Sequence, residues 1–255
     1  MKIKTATEIK IMGKGGEIAD FVMQEIAKNI RPGVSTIKID KIASRIIKAR
    51  GATASFLDYQ NYPASICISL NKNIVHSIPS DEIINNGDVV KVDLGVLYKG
   101  FHTDMARSFI VGNVPKNIEE MVRLCLRALD LVILQVKPGN TIGDLEEIIG
   151  KTLKSGGLSP VMSLTGHGIG RDLHEKPSIY CDGKKSTKEK LVPGMVIAIE
   201  PMATMGSGKV VKGDDGWTIK SADDSMTAHF EDTVAVTKTG HKVLTRRRGP
   251  VKIFL

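Results

Sequence analysis

The chain has 255 residues, 42% of them hydrophobic and 25% charged, with a formal net charge of +8. It is long enough to bury one large core or two small ones, but holds no run of about 18 uncharged apolar residues to span a membrane. The basic start, MKIKTATEIKIMGKGGEIAD, lacks the apolar stretch of a secretory signal, and three scattered cysteines without a CxxC pair fit a reducing cytoplasm better than disulfides or a zinc ribbon.

Apolar positions at helical spacing over residues 7–30 predict a first helix, interrupted around Gly13–Gly16 and stopped by Arg31-Pro32-Gly33. Ser35 or Thr36 is placed to cap a second helix from Ile37 to about Ala49. Strand-like runs follow at Ala52–Leu57 and Ser65–Leu70. Asp88–Ile110 then reads as a β-hairpin turning at Tyr98-Lys99-Gly100. If the turn centres on Tyr98 and Lys99, Asp93 directly opposes Asp104, with Cβ atoms roughly 4.5–5.5 Å apart. Two carboxylates held so close must give up a proton or share a cation, unless both are simply solvated.

Asn117 with Glu120 makes a capping pair for a long helix reaching Val136, and Thr141–Leu153 reads as another helix. Beyond Gly157 the pattern is β and loop, with runs at Met195–Glu200, Val210–Val211, Trp217–Lys220 and His229–Thr237. Basic residues gather in Lys184, Lys185, Lys188 and Lys190 and in the tail His241–Leu255. Such patches attract polyanions, but no interleaved aromatics or groove-reading motif accompanies them.

The order of elements repeats. Pro32 and Pro138 stand 106 residues apart, each between two helices. Gly87 and Gly194 are 107 apart, as are Asp93 and Glu200, each acid ending a β-branched run. Two similar halves, about 1–115 and 116–255, follow as the expected organisation of a single domain. A pseudo-twofold packing would carry Asp93 and Glu200 towards one centre.

Four acids therefore stand at strand positions: Asp93, Asp104, Glu200 and Glu231. Strand alternation puts His229, Glu231 and Thr233 on one face. The stretch TGHGIGRDLHEKP (165–177) reads as a glycine-rich loop that brings His167 and His174 to a crowded site. Any one of these residues alone is ordinarily solvated or satisfied in a core. Together they balance two divalent cations with a hydroxide between them, and oxygen ligation plus one imidazole suits Mn, Fe, Co or Zn. Rival motifs fail: Gly208-Lys209 lacks a phosphate-loop pattern, no GxSxG occurs, and Cys125 sits in an apolar helical run.

The segments YPASICISLNKNIVHSIP, VDLGVLYKGFHTDMARSF, TGHGIGRDLHEKP, AIEPM and AHFEDTVAVT, in that order, resemble the type I methionine aminopeptidases over essentially the whole chain. The resemblance implies an α/β pita-bread fold, two pseudo-symmetric halves with helices packed on a curved antiparallel sheet around two divalent metal ions. It implies removal of N-terminal methionine from nascent proteins and peptides by a metal-activated hydroxide, in a cytoplasmic monomer. By the same resemblance, Asp93 ligates one ion, Asp104 and Glu231 bridge both, and His167 and Glu200 hold the other. Glu200 is also the general base, His174 donates to the carbonyl oxygen, and His76 contacts the scissile amide. The methionine pocket includes Tyr59, Tyr62, Cys67, Leu173 and Trp217, although Trp217 fits ordinary core equally well.

Departures from the family pattern are His229 in place of glutamine, Asp232 in place of histidine, and Ser77 in place of glycine. The rival expectations are a pita-bread binding protein without catalysis and a proline-directed peptidase of the same fold. The short span from Pro177 to Glu200 and the start at Met1 suggest the bacterial or organellar form, without a type II insertion or a zinc-finger extension. Transient contact with the ribosome through the basic surface is a further expectation.

Overall fold

The computed structural model describes residues 2–183, 188–245 and 253–254. Lys184, Lys185 and most of the basic tail lie outside the described residues. Helix α1 (Ala6–Ala27) starts at a capping box in which Thr5 and Glu8 exchange side-chain and backbone hydrogen bonds. It runs unbroken through Gly13–Gly16, contrary to the expected interruption. The glycines serve packing instead: a Cβ on Gly16 would lie 2.0 Å from the Leu244 carbonyl oxygen. Helix α2 (Thr36–Ala49) follows, with Ser35 at its N-cap position but making no side-chain cap. The Thr36 hydroxyl donates to the Ser80 carbonyl instead.

Helix α3 (Lys116–Ile133) begins after Pro115, so Asn117 falls inside the first turn and the expected Asn117–Glu120 cap does not form. Helix α4 (Ile142–Ser155) is capped by the reciprocal Thr141–Asp144 pair. Helices α2 and α4 have 14 residues each and start 106 positions apart.

The helices cover an antiparallel sheet of nine strands among the described residues. Its central order is Val89–Tyr98, Phe101–Ile110, Glu231–Val236, Val196–Ile199, Thr165–Gly168 and Glu175–Tyr180. Alternation fixes its two faces. Val90, Val92, Leu94 and Val96 pack with Ile26 and Ile39 of the first helix pair. Ile197, Ile199 and Val234 pack with Val122, Leu129 and Leu145 of the second. The intervening residues, among them Asp93 and Glu231, point to the other face.

The hairpin turn lies one residue later than expected. Lys99 (φ 48°) and Gly100 (φ 78°) are both left-handed, as a two-residue type I′ turn requires. Tyr98 therefore pairs with Phe101, Asp93 with Ala106, and Asp104 with Gly95. The two aspartates are diagonal neighbours on one face, not directly opposed. The expected run His229–Thr237 is also two strands: Thr227–His229 joins a small sheet with Met202–Thr204, and Glu231–Val236 joins the large one. The expected Ala52–Leu57 strand shrinks to Thr53–Ala54.

Candidate metal centre

The glycine-rich 165–177 stretch is a loop only at residues 169–174, which carry His174. Thr165–Gly168 and Glu175–Tyr180 form a strand pair, with Gly166 next to the Ala198 carbonyl and Gly168 next to that of Lys176. A Cβ at either glycine would approach within 2.6 Å and 2.2 Å of those oxygens. The local glycines thus let His167 lie in a sheet interior instead of a flexible segment.

Strands from both halves of the chain meet at one cavity of about 320 Å³. Asp93, Asp104, His167, Glu200 and Glu231 line it, as do His76, His174, Tyr59, Tyr62, Cys67, Leu173 and Trp217. Asp104, His167 and Glu231 each offer a ligand atom within 4.8 Å of the others. His167 Nε2 lies 3.7 Å from Glu200 Oε1 and 4.0 Å from Glu231 Oε1. Its Nδ1–H donates to the Gly168 carbonyl at 2.9 Å, which leaves the Nε2 lone pair facing the acids.

Electrostatics set this cluster apart from an ordinary ion-pair network. Burial, then the charges of Asp104 and Glu200, push the Asp93 carboxyl well above the usual range. Glu200 and Glu231 are raised for the same two reasons, burial first and neighbouring acids second. Asp104 is pushed up to about 7 by burial, although the Met105 amide donates to it. Burial and nearby His174 lower His167 to about 3, so its imidazole is neutral. Asp93 Oδ1 and Glu231 Oε1 are buried with no hydrogen-bond partner. Orphaned acceptors, repelling acids and a neutral imidazole fit divalent cations, which would supply the missing positive charge.

The cavity mouth carries a second histidine group. Tyr59 Oη lies 2.8 Å from His174 Nδ1, and the His174 and His167 rings meet edge to face at 4.4 Å. Burial lowers the pKa of His174 and brings that of His76 to about 4. Tyr62 and Trp217 pack edge to face at 5.1 Å on the apolar wall. Cys67 stays a thiol there, raised by burial and by the charge of Asp93. Phe56, Gln60, Val75, Ser163, Leu164 and Met202 also line the cavity, and the sequence reading gave them no site role. Met202 lies inside the quoted AIEPM segment, but nothing in the sequence marks Phe56, which arrives from an irregular segment.

A model of metallopeptidase family M24 matches residues 10–238. The methionine aminopeptidase of Clostridium perfringens is 39% identical over 243 residues, which is 95% of this chain and 98% of that protein. The crystal structure of methionine aminopeptidase from Thermotoga maritima aligns with a TM-score of 0.95 at 36% identity, covering 97% of this chain and 100% of the other. The prolidase of Pyrococcus furiosus aligns with a TM-score of 0.79 at 28% identity, covering 97% of this chain but 66% of that one.

Proposed function

The chain belongs to metallopeptidase family M24, with its α/β pita-bread fold, and from that premise we propose that it removes the N-terminal methionine of polypeptides by metal-dependent hydrolysis of the first peptide bond. The observation that carries the proposal is the convergence of four raised carboxyl groups and a neutral imidazole beside an apolar wall, in one cavity. Asp93, Asp104, His167, Glu200 and Glu231 would hold two divalent ions. Such ions, when bound, make water acidic enough to attack at neutral pH and stabilise charge growing on a carbonyl oxygen.

The remaining work falls to the chain itself. Glu200, 12% exposed at the cavity wall, accepts the proton of the attacking water. His174 donates from Nε2 to the carbonyl oxygen as it becomes an oxyanion. That role requires Nδ1 to be bare, and the Tyr59 hydroxyl is placed to donate to it. His76, neutral in its buried position, contacts the scissile amide. Tyr59, Tyr62, Cys67, Leu173 and Trp217 surround the methionine side chain, and aromatic and thiol contacts suit its polarizable sulfur. The protonated Cys67 belongs to this wall and is not a nucleophile.

Equal helix lengths and the 106-residue offset support one catalytic domain of two duplicated halves, about 1–115 and 116–255. Three free cysteines support a reducing, cytoplasmic setting. Net charge +8 supports transient contact with the ribosome. The decisive experiment follows methionine release from Met-Gly-Xaa peptides with Mn²⁺, Fe²⁺ or Co²⁺, beside an Xaa-Pro dipeptide. Release of methionine, abolished by Asp104→Asn, is expected. An uncleaved Met-Gly peptide, or cleavage of the Xaa-Pro dipeptide alone, removes the proposal.

A further inference from the structure

Two imidazoles flank the Glu200 carboxylate, one at each oxygen. His167 Nε2 is 3.7 Å from Oε1, and His229 Nε2 is 3.4 Å from Oε2. The His167 ring is anchored by the Gly168 carbonyl. His229 has no such anchor: it is 1% exposed, and neither ring nitrogen has a hydrogen-bond partner. Its backbone is fixed all the same. The His229 amide donates to Ser108 Oγ at 3.0 Å, and that hydroxyl donates to the His229 carbonyl at 2.7 Å. The backbone is therefore fixed beside the cavity's acids, at the end of Thr227–His229.

A neutral imidazole carries one N–H and one lone pair. Leaving a buried N–H without an acceptor is the costlier arrangement. Among the described residues, Glu200 supplies the carboxylate oxygen within 4.0 Å of a His229 ring nitrogen, and that nitrogen is Nε2. Were Nε2 to act as a lone-pair ligand, the proton would sit on Nδ1, where no partner is within reach.

We propose that His229 is a positioning residue for Glu200: in the metal-loaded protein its Nε2–H closes the 3.4 Å gap to Oε2, donates to it and so turns Oε1 towards His167 and the attacking water. The proposal rests on the reading of Glu200 as a cation-holding acid and proton acceptor. With Oε2 tied, the carboxylate cannot rotate between equivalent poses. A neutral donor also leaves its negative charge available to a cation, which an ion pair would partly cancel.

The tautomer is read directly from histidine nitrogen resonances of the zinc-loaded full chain, with the His229 signals assigned by their loss in His229→Gln. An Nε2–H ring is expected, and an Nδ1–H ring overturns the proposal. Mn²⁺ titration calorimetry and steady-state kinetics on a Met-Ala-Ser peptide supply the second measurement. His229→Leu should weaken metal affinity or kcat by about 10–100-fold with KM little changed. His229→Gln, which keeps a neutral donor, should recover most of that loss. Wild-type affinity and kcat in His229→Leu, or no recovery in His229→Gln, overturns it, and the tautomer decides if the leucine variant does not fold. Glu200→Gln separates the two readings. If it binds Mn²⁺ and turns over as wild type, the role of Glu200 falls and this proposal with it. If it is inactive while His229→Leu is unimpaired, only the role of His229 falls.

Discussion

Arg107 and Asp232 form an ion pair inside the large sheet, Nη2 to Oδ1 at 2.6 Å, with side chains 4% and 0% exposed. The Thr245 hydroxyl also donates to Asp232, and Arg107 Nη1 donates to the carbonyls of Ala106 and Glu231. By strand alternation the pair lies on the face opposite the Glu231 side chain, so the guanidinium holds the backbone that carries this acid. Removing one partner strands a buried charge, at about 3–5 kcal/mol. Arg107→Leu should therefore lose more stability than Arg107→Leu combined with Asp232→Leu. Urea denaturation of both variants checks this, and a double variant no more stable than the single one refutes it.

Gly13 and Gly16 occupy the same helix, yet alanine should act on them with opposite signs. On propensity alone, each Gly→Ala change in a helix gains about 1 kcal/mol. A Cβ at Gly13 meets nothing closer than Lys242 Nζ at 3.9 Å, so Gly13→Ala should raise the melting temperature. At Gly16 it would meet the Leu244 carbonyl oxygen at 2.0 Å and carbon at 2.5 Å, backbone atoms that cannot rotate aside. Overpacking of this kind costs about 1–3 kcal/mol, which exceeds the propensity gain. Thermal melts of the two variants should move in opposite directions, and a stabilised Gly16→Ala would defeat the argument.

The same glycines show where sequence reading stops. Composition and apolar spacing make α1 to α4 legible, because each helix buries a periodic face, and the recurring offset is visible in the chain. Whether a glycine breaks a helix or admits another segment depends on what lies against it, and Leu244 is more than 200 residues from Gly16. Gly166 and Gly168 misled in the same way: they suggest a loop, yet they clear space for carbonyls of neighbouring strands. The hairpin register failed for a local reason, since Lys99 as well as Gly100 takes a left-handed conformation that few side chains adopt. The acids and histidines were legible as candidates because their residue types and spacing are unusual for solvated strands. Phe56 and Gln60 carry no such mark, and only the folded chain brings them to the cavity.

Metal removal should expose the strain of the buried acids. In the metal-free protein, burial raises Asp104 to about 7, above its ordinary value of 3.8. A raised carboxyl contributes stability that is present below the ordinary value and lost as pH rises through the folded one. The chelated protein should thus melt at progressively lower temperature from pH 5 to pH 8. A cation at 100 times its dissociation constant adds about 2.7 kcal/mol, and its advantage over the chelated form should widen across that interval. Asp104→Asn should flatten the slope of the chelated form. Equal slopes with and without Mn²⁺ would contradict this account.

Asp215 offers a pH dependence of the opposite sign, reported by the single tryptophan. Burial pulls its carboxyl upward, but the Thr218 hydroxyl and the amides of Trp217 and Thr218 outweigh that and hold it below the usual range. Those amides donate at 2.9 Å and 2.8 Å, which fixes the turn that sets Trp217 against Tyr62. A depressed carboxyl contributes stability present above its ordinary value of 3.8 and lost as pH falls through the folded one. Acid titration should therefore change Trp217 fluorescence below pH 3.8, as the protonated side chain releases the two amides. Asp215→Ala removes both acceptor oxygens, so its fluorescence should already resemble the acid form at neutral pH and show no such step. If Asp215→Ala titrates like the wild type, another group controls the tryptophan and the turn does not depend on this carboxylate.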